Sequence, residues 1–261
     1  GLAWEQAWAT TIKVMSYTNH TIMAEALEKW PVEMINEVLP RMYQIIKEID
    51  RRFFEGLEKI HPCDLLNRTR IISNGQVHMA NLSIIGSHSV NGVAKLHSDL
   101  LKSVVLHDFY IIYPARFNNK TNGIAQRRWL QLANRPLTKV LDETIGESWH
   151  HQPEDLQLLK NYQDDPSVLQ ALADAKRTNK IALADYIADH CGIQVDPNAI
   201  FDVQIKRLHA YKRQLLNLMH ILKLYFEVKE NPDAPFHPRV FIFGAKAAPS
   251  YHYAKSIIKA I

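Results

Sequence analysis

The strongest chemical signal in this sequence is a run of cations between residues 206 and 213. It reads Lys206-Arg207-Leu208-His209-Ala210-Tyr211-Lys212-Arg213 and contains four lysine or arginine residues. Such a concentration of like charge is unfavourable unless an anion lies among the side chains. Arginine binds phosphate through paired hydrogen bonds and lysine acts as a mobile point charge, so this mixture favours phosphate. The alternative is a solvated basic turn with an acidic partner elsewhere in the chain.

The elements on either side place this run where open α/β sheets bind ligands. Residues 200–205 alternate with period two, residues 215–228 have helical periodicity, and residues 239–243 form a second strand-like run. Strand, helix and strand within about 45 residues predict a βαβ unit with a parallel sheet. Ligands bind beyond the carboxyl ends of such strands, where the next helix offers free N–H groups and partial positive charge.

Two other polar residues are each open to two interpretations. Asn122 precedes a glycine and a predicted helix, so it is either a turn or cap residue or an amide that reaches a sugar hydroxyl at a domain junction. His20 is either a loop histidine bonded to neighbouring backbone or a functional group. His88 and His97 do not share a helical metal spacing with a carboxylate, so no metal site is expected.

The remaining patterns predict a helix-rich α/β chain. Helices are predicted at 4–14, 93–102, 136–145, 154–162 and 166–190, the last capped by Asp164-Asp165. Residues 32–54 are predicted as one long helical region, in which Pro40 suits either a fresh helix start or a kink. The buried stripe of this region is Met34, Ile35, Val38, Met42, Ile45, Ile46 and Ile49. The apolar run 77–85 is consistent with a buried strand or a buried helix, and we favour the strand because the loop-like segment 86–92 follows it directly. A second loop-like segment, 118–123, predicts a boundary between domains 1–122 and 123–261.

Composition excludes several classes of protein. The 261 residues are 47% hydrophobic and 22% charged, which is enough to build a core without metals or disulfides. No apolar run approaches the roughly 20 residues of a membrane span. A net charge of +4 is too small for a general nucleic-acid binder. Cys63 and Cys191 form no CxxC pair, so a reduced, cytoplasmic protein is expected. The residue patterns at both ends of the sequence predict that the chain is an internal fragment of a longer protein.

Six strings occur in one order and resemble the glycogen/starch/maltodextrin (α-glucan) phosphorylases over essentially the whole chain. They are Tyr-Thr-Asn-His-Thr (17–21), Glu-Ala-Leu-Glu-Lys-Trp-Pro (25–31), Gly-Ser-His-Ser-Val-Asn-Gly-Val-Ala (86–94), Asn-Lys-Thr-Asn-Gly (119–123) with Arg-Arg-Trp-Leu (127–130), Phe-Asp-Val-Gln-Ile-Lys-Arg-Leu-His (201–209) and Lys-Ala-Ala-Pro (246–249). The resemblance implies a pyridoxal-phosphate-dependent glycosyltransferase that uses orthophosphate to release glucose 1-phosphate from α-1,4-glucan chain ends, with retention.

The same resemblance implies two Rossmann-like lobes with the active site between them. Residues 1–122 would end the N-terminal lobe and residues 123–261 would begin the C-terminal lobe. The family is homodimeric and includes allosteric enzymes. Its partners would be α-1,4-glucan (glycogen or maltodextrin), orthophosphate and glucose 1-phosphate, with no nucleic acid and no membrane.

Three residues match sugar-binding positions of the family. His20 matches a histidine whose backbone carbonyl contacts the glucosyl unit, and Asn122 matches an asparagine that holds the 6-hydroxyl. Tyr211 matches a tyrosine at the hydroxyl edge of the sugar.

Four residues match positions for phosphate and cofactor. Arg207 and Lys212 match ligands of the substrate phosphate, Lys206 matches a lysine near the cofactor phosphate, and Trp129 matches a tryptophan packed near the cofactor. Fixed cations there would stabilise the anionic half of an oxocarbenium/phosphate ion pair.

The sequence also departs from the family pattern. Ala210 replaces a usual glutamate, Ala125-Gln126 a Thr-Pro pair, Ser250 a glycine and Ala24 a proline. The Gly-Thr-Gly-Asn-Met-Lys segment with the Schiff-base lysine is absent, so the chain alone is expected to be inactive. The alternatives are a non-catalytic phosphate- or glycan-binding module derived from a phosphorylase, and another glycosyltransferase on the same two-lobe fold, against which the strings at 17–21 and 119–123 argue.

Overall fold

A computed structural model describes residues 1–261. The chain divides into two compact units, Gly1–Ile124 and Ala125–Ile261, and each is described separately. Helices dominate both units and the sheets are small, which confirms the helix-rich α/β class. That the units belong to two different lobes, with a boundary at residue 122, stays a prediction.

The first unit holds seven helices and six strands. In chain order they are α1 (Trp4–Val14), β1 (Ser16–Thr18), β2 (Lys29–Pro31), α2 (Val32–Val38), α3 (Pro40–Leu57), α4 (Cys63–Arg68), β3 (Ile72–Ser73), β4 (Gln76–His78), α5 (Met79–Ile85), β5 (Ser89–Gly92), α6 (Lys95–Leu100), α7 (His107–Ile112) and β6 (Phe117–Asn119).

Three of these strands form a parallel sheet in the order β1-β5-β6. Tyr17 lies opposite Val90, and Asn91 lies opposite Asn118. Helices connect each strand to the next, as parallel pairing requires. The carboxyl ends of all three strands therefore meet at one edge of the sheet, where α/β proteins bind their ligands.

The prediction of a buried strand over 77–85 is wrong. The strand β4 ends at His78 and the helix α5 takes up the rest of the run. β4 is one arm of a hairpin whose two-residue turn, Asn74-Gly75, has positive φ at both positions. An Asn-Gly pair is the preferred sequence for such a turn, and a short apolar run does not by itself distinguish a strand from a helix.

The helical region predicted over 32–54 consists of two helices, and Pro40 is a fresh helix start and not a kink. Leu39 leaves the helical conformation, and α3 starts afresh at Pro40, which has no N–H to continue α2. The predicted buried stripe holds in part, because Ile35, Ile45, Ile46 and Ile49 lie in or against the core. Met34 and Val38 of α2 and Met42 in the first turn of α3 are exposed.

The core of the first unit lies between α3, α4, α5 and the parallel sheet. Its fully buried side chains include Leu66, Ile71, Val77, Ile84 and Val90. Asp50 of α3 is buried among them and accepts hydrogen bonds from the backbone N–H of Ile71 at 2.7 Å and from Arg70 Nε at 2.8 Å. This carboxylate fixes α3 to the residues just before the hairpin. Both of its oxygens accept hydrogen bonds, so the buried charge of Asp50 is not left without partners.

The second unit holds four α-helices and a two-stranded sheet. Its elements are α8 (Arg135–Ile145), α9 (Pro166–Cys191), β7 (Ile200–Ile205), α10 (Gln214–Glu230), β8 (Arg239–Gly244) and α11 (His252–Ala260). β7 and β8 pair in parallel with α10 between them, which confirms the predicted βαβ unit. The Asp165 carboxylate accepts from the N–H groups of Ser167 and Val168, so the predicted cap is confirmed. Residues 153–162 form a 3₁₀ helix instead of an α-helix.

The segment 86–92, predicted as a loop, contains the central strand β5. At its end Gly92 lies against the backbone of Ser98 in α6, and a Cβ on Gly92 would stand 2.9 Å from the Ser98 Cα and N atoms. Only glycine allows α6 to start so close to the sheet. Neither Cys63 nor Cys191 is in a disulfide. None of the helices has the length and apolar character needed to cross a bilayer.

Gly92→Ala is expected to lower the free energy of unfolding by about 1–3 kcal/mol, because the added methyl meets backbone that cannot move aside. Gly56→Ala is the matched control, since nothing lies within 4 Å of its Cβ position in α3. The control should gain up to about 1 kcal/mol from helix propensity. Urea denaturation followed by circular dichroism measures both, and equal stability of the two variants would contradict the packing argument.

Candidate functional site

Residues 206–213, here called the cationic loop, continue from the carboxyl end of β7. The Lys206 N–H donates to the Gly244 carbonyl at 3.0 Å, and the Leu208 N–H donates to the Lys246 carbonyl at 3.0 Å. The parallel pairing of β7 and β8 thus extends past both strands. It fixes the loop backbone at the sheet edge.

One apolar side chain anchors the cationic loop. Leu208 is only 3% exposed and packs against Ala254 and Ile257 of α11. The side chains of Lys206 and Arg207, immediately before it, are exposed. The loop is therefore held by its backbone and by one leucine, while its charged side chains remain available to a ligand.

The cations of this loop have no acidic partner. None of Lys206, Arg207, Lys212 and Arg213 takes part in a salt bridge. The Lys212 ammonium lies 4.9 Å from the centre of the Tyr211 ring. α10 follows with neither an acidic residue in its first turn nor a side-chain cap, so its N-terminal partial charge adds to the cations. The interpretation as a basic turn with an acidic partner finds no such partner in this chain.

Two glutamine side chains hold the cationic loop. Gln204 of β7 donates through Nε2 to the Lys212 carbonyl at 3.3 Å and accepts from Asn217 Nδ2 at 2.9 Å. Gln214 of α10, only 1% exposed, donates through Nε2 to the Arg207 carbonyl at 3.0 Å. Neutral amides therefore hold the backbone of two predicted phosphate ligands. Sequence reasoning missed both glutamines, although a polar residue on the alternating strand β7 was a signal for Gln204.

The loop enters α10 through a strained residue. Arg213 has φ +60°, in the left-handed region that side chains other than glycine, asparagine and aspartate rarely adopt. Its conformation turns the chain sharply from the loop into the helix. Strain of this kind persists where the surrounding structure fixes it, and it is common at functional sites.

Two buried polar atoms next to the loop lack a partner. They are His209 Nδ1 and Gln214 Oε1. The His209 ring is packed between Tyr211, at 4.6 Å between ring centres, and Tyr251, at 5.1 Å. The cationic donors and the free N–H groups of α10 together suit a phosphate-bearing ligand, whereas Gln214 Oε1 is an acceptor and suits only a donor group such as a hydroxyl. The donor set thus fits a phosphate, whether of a substrate or of a cofactor.

The first unit has a different site at the carboxyl ends of β1, β5 and β6, here called the polar edge. The Asn19 N–H donates to the Asn91 carbonyl at 2.9 Å, and the Thr18 hydroxyl donates to Asn91 Oδ1 at 2.9 Å. His20 follows with an exposed side chain. The Asn122 N–H donates to the Val93 carbonyl at 2.9 Å, while its own side chain is exposed. Asn122 therefore does not cap a helix.

His97 of α6 lies within the polar edge, and sequence reasoning considered it only as a metal ligand. Its Nδ1 accepts from the Val93 N–H at 3.1 Å, and its Nε2 lies 3.1 Å from Asn19 Oδ1. Asn19 is almost fully buried and also donates to the Tyr17 hydroxyl at 3.3 Å. Burial raises the pKa of Tyr17, so its phenol stays protonated at neutral pH. No local sequence signal would have linked these residues.

The structure brings the predicted residues together in two groups. Lys206, Arg207, Tyr211 and Lys212 share the cationic loop, and His20 and Asn122 share the polar edge. Trp129 is in neither group. It lies in a π-helical turn, Arg127–Leu132, and is 67% exposed. No group of three or more histidine, cysteine or acidic side chains could hold a metal ion.

Fold and site define an α/β protein with a cationic strand-to-helix loop at the carboxyl end of a parallel strand. A family model described as carbohydrate phosphorylase matches residues 1–261. The chain belongs to the carbohydrate phosphorylase family.

Three relatives illustrate the likeness. The chain is 51% identical to glycogen phosphorylase of Bacillus subtilis (strain 168) and 45% identical to the muscle form from Bos taurus, each over 100% of the chain. It is 43% identical to the human muscle form over 99% of the chain. The matched regions are 33%, 32% and 31% of these three proteins, so the chain spans about a third of their length.

Gln204→Met should lower the free energy of unfolding by about 1–3 kcal/mol, because it removes two hydrogen bonds that hold the cationic loop. Gln170→Met is the matched control: its amide bonds only Asp174 on the exposed face of α9. The control should change stability by less than about 0.5 kcal/mol. Urea denaturation of the two variants distinguishes the outcomes, and an equal loss in both would remove Gln204 as a support of the loop.

Proposed function

We propose that the chain is part of an α-1,4-glucan phosphorylase, a glycosyltransferase that releases glucose 1-phosphate from glucan chain ends with orthophosphate. The observation that supports this most strongly is the cationic loop. It places four cations without an acidic partner at the carboxyl edge of a parallel βαβ unit. Membership of the carbohydrate phosphorylase family supplies the reaction class.

Arg207 and Lys212 bind the substrate phosphate in this proposal. The Arg207 guanidinium can form paired hydrogen bonds with two phosphate oxygens, and the Lys212 ammonium neutralises charge from one side. Their carbonyls are held by Gln214 and Gln204, so the cations are positioned before the phosphate arrives. Preorganised charge of this kind stabilises phosphate as the glycosidic bond breaks and positive charge develops on the sugar.

Lys206 and Trp129 would hold pyridoxal phosphate, Lys206 through the cofactor phosphate and Trp129 by packing near the cofactor. When bound, the cofactor supplies a second phosphate that exchanges a proton with the substrate phosphate. Lys206 lies next to Arg207 on the cationic loop, so neighbouring side chains of this chain would each neutralise one of two phosphates. The covalent lysine is not among the residues of this chain.

His20, Asn122 and Tyr211 bind the glucosyl unit in the proposal. The Asn122 amide would donate to the 6-hydroxyl and the His20 carbonyl would accept from it, while Tyr211 would contact the hydroxyl edge of the sugar. The exposed Asn122 side chain and the amide and hydroxyl groups of the polar edge around it support this role, because an amide can both donate to and accept from a sugar hydroxyl.

The full-length protein is further proposed to form homodimers and to act in the cytoplasm on glycogen or maltodextrin. Two exposed, unpaired cysteines suit a reducing compartment.

Arg207→Ala in the full-length protein is expected to raise the KM for phosphate by roughly 10- to 100-fold, because the substitution removes a charge-assisted hydrogen bond. Phosphate-dependent release of glucose 1-phosphate from maltoheptaose measures it. Lys223→Ala is the matched control, because it removes the same charge further along α10, where Lys223 bonds only Glu227.

The control should retain the parent's KM. Unchanged kinetics in Arg207→Ala would remove the phosphate role of this residue and leave the family assignment. Absence of phosphorolysis in the parent protein, with cofactor bound, would favour a non-catalytic binding module.

The 261-residue chain alone is expected to form no Schiff base at a defined site and to show no phosphorolysis, because the segment with the covalent lysine is absent. Borohydride reduction after incubation with pyridoxal phosphate, followed by peptide mass spectrometry, checks the first point. A coupled glucose 1-phosphate assay checks the second. Turnover by the purified chain would contradict the proposal.

A further inference from the structure

His97 connects two strand ends that are distant in sequence. Its Nδ1 accepts the Val93 N–H at the end of β5, and its Nε2 lies 3.1 Å from the Asn19 carboxamide oxygen at the end of β1. A backbone N–H can only donate, so Nδ1 is unprotonated and Nε2 carries the hydrogen. The imidazole is therefore neutral and donates to Asn19 through Nε2.

The Asn19 end of this connection controls the position of His20. Asn19 Oδ1 accepts from the Thr21 N–H at 2.9 Å as well as from His97. Because Thr21 can only donate there, the oxygen of the Asn19 amide is identified unambiguously. The bond between Asn19 and Thr21 closes a turn whose middle residue is His20, so the direction of the His20 carbonyl depends on the Asn19 side chain.

The Val93 end controls the position of Asn122. The Val93 carbonyl accepts the Asn122 N–H at 2.9 Å, while the Val93 N–H donates to His97. The neighbouring α6 residue Ser98 donates to Asn119 Oδ1 at 2.7 Å, at the start of the same loop. The Lys120 N–H also donates to the Gly92 carbonyl at 3.1 Å, so the 119–122 loop is held by the end of β5 and by the first turn of α6.

We propose that His97 is a positioning residue that holds the His20 carbonyl and the Asn122 amide in the spacing needed for one sugar 6-hydroxyl. The inference rests on the sugar-contact roles proposed above for those two residues. Three hydrogen bonds lead from Asn122 through Val93 and His97 to Asn19, next to His20. His97 itself does not contact the sugar. It sets the discrimination between substrates with and without a 6-hydroxyl.

The test compares kcat/KM for glucose 1-phosphate and 6-deoxyglucose 1-phosphate in glucan synthesis by the full-length protein. The ratio of the two values reports recognition of the 6-hydroxyl and is insensitive to a uniform loss of activity. Asn122→Ala is expected to lower this ratio roughly five- to tenfold, the worth of one hydrogen bond. His97→Ala should lower it by a similar factor, and the double variant should lower it no further.

Two variants make the result specific. His97→Asn retains an acceptor at the Nδ1 position for Val93 but is too short to reach Asn19, so its ratio should lie between those of wild type and His97→Ala. The His97→Asn variant also tests the proposal if His97→Ala does not fold. His107→Ala is the matched control, because this exposed histidine of α7 bonds only the Lys102 carbonyl, away from the polar edge. Its ratio should equal that of wild type.

The outcomes separate the two proposals. A reduced ratio in Asn122→Ala with unchanged ratios in both His97→Ala and His97→Asn would overturn the positioning role alone. An unchanged ratio in Asn122→Ala would overturn the sugar contact proposed for Asn122, and the role of His97 with it. Full additivity in the double variant would show that the two residues act separately, which also overturns the inference.

Discussion

The approach of Gly92 to Ser98 constrains the whole polar edge. Because Gly92 has no side chain, the backbone of α6 can lie directly against it, and the chain leaves β5 and begins α6 within a few residues. That short connection puts the first turn of α6 directly over the strand ends. His97 and Ser98 can then bond groups on β1, on β5 and in the loop after β6. With a wider turn the same side chains would face solvent, and the strand ends would be held only by their sheet bonds.

The two sheet edges of the molecule follow the same topological rule and differ in chemistry. Each lies at the carboxyl ends of parallel strands, where backbone groups are left over and a helix begins. In the first unit those groups meet amides, hydroxyls and a neutral imidazole, which recognise other uncharged polar groups. In the second unit they meet lysines and arginines, which recognise anions.

The sequence predicted the features that depend on neighbouring residues. The βαβ unit follows from the period-two run of β7 and the helical run of α10, and the cationic loop is a single contiguous string. The functional residues that sequence reasoning missed depend on contacts between residues that are distant in sequence. His97 and Asn19 are 78 positions apart. The burial of Gln214 depends on tertiary packing that periodicity does not encode. The Asn74-Gly75 turn, by contrast, was a local signal that could have corrected the strand predicted over 77–85.

Gln204 and Gln214 hold the cationic loop without neutralising it, and this has a thermodynamic consequence. Carboxylates in place of the two amides could not donate to the carbonyls of the cationic loop, and they would cancel part of its positive charge. With neutral amides, the mutual repulsion of the cations remains as a cost to the folded chain whenever no anion is present. An anion that binds there removes this cost, so folding and anion binding are linked. The stability of the second unit should therefore depend on the anion composition and ionic strength of its surroundings, more than the net charge of +4 of the whole chain would suggest.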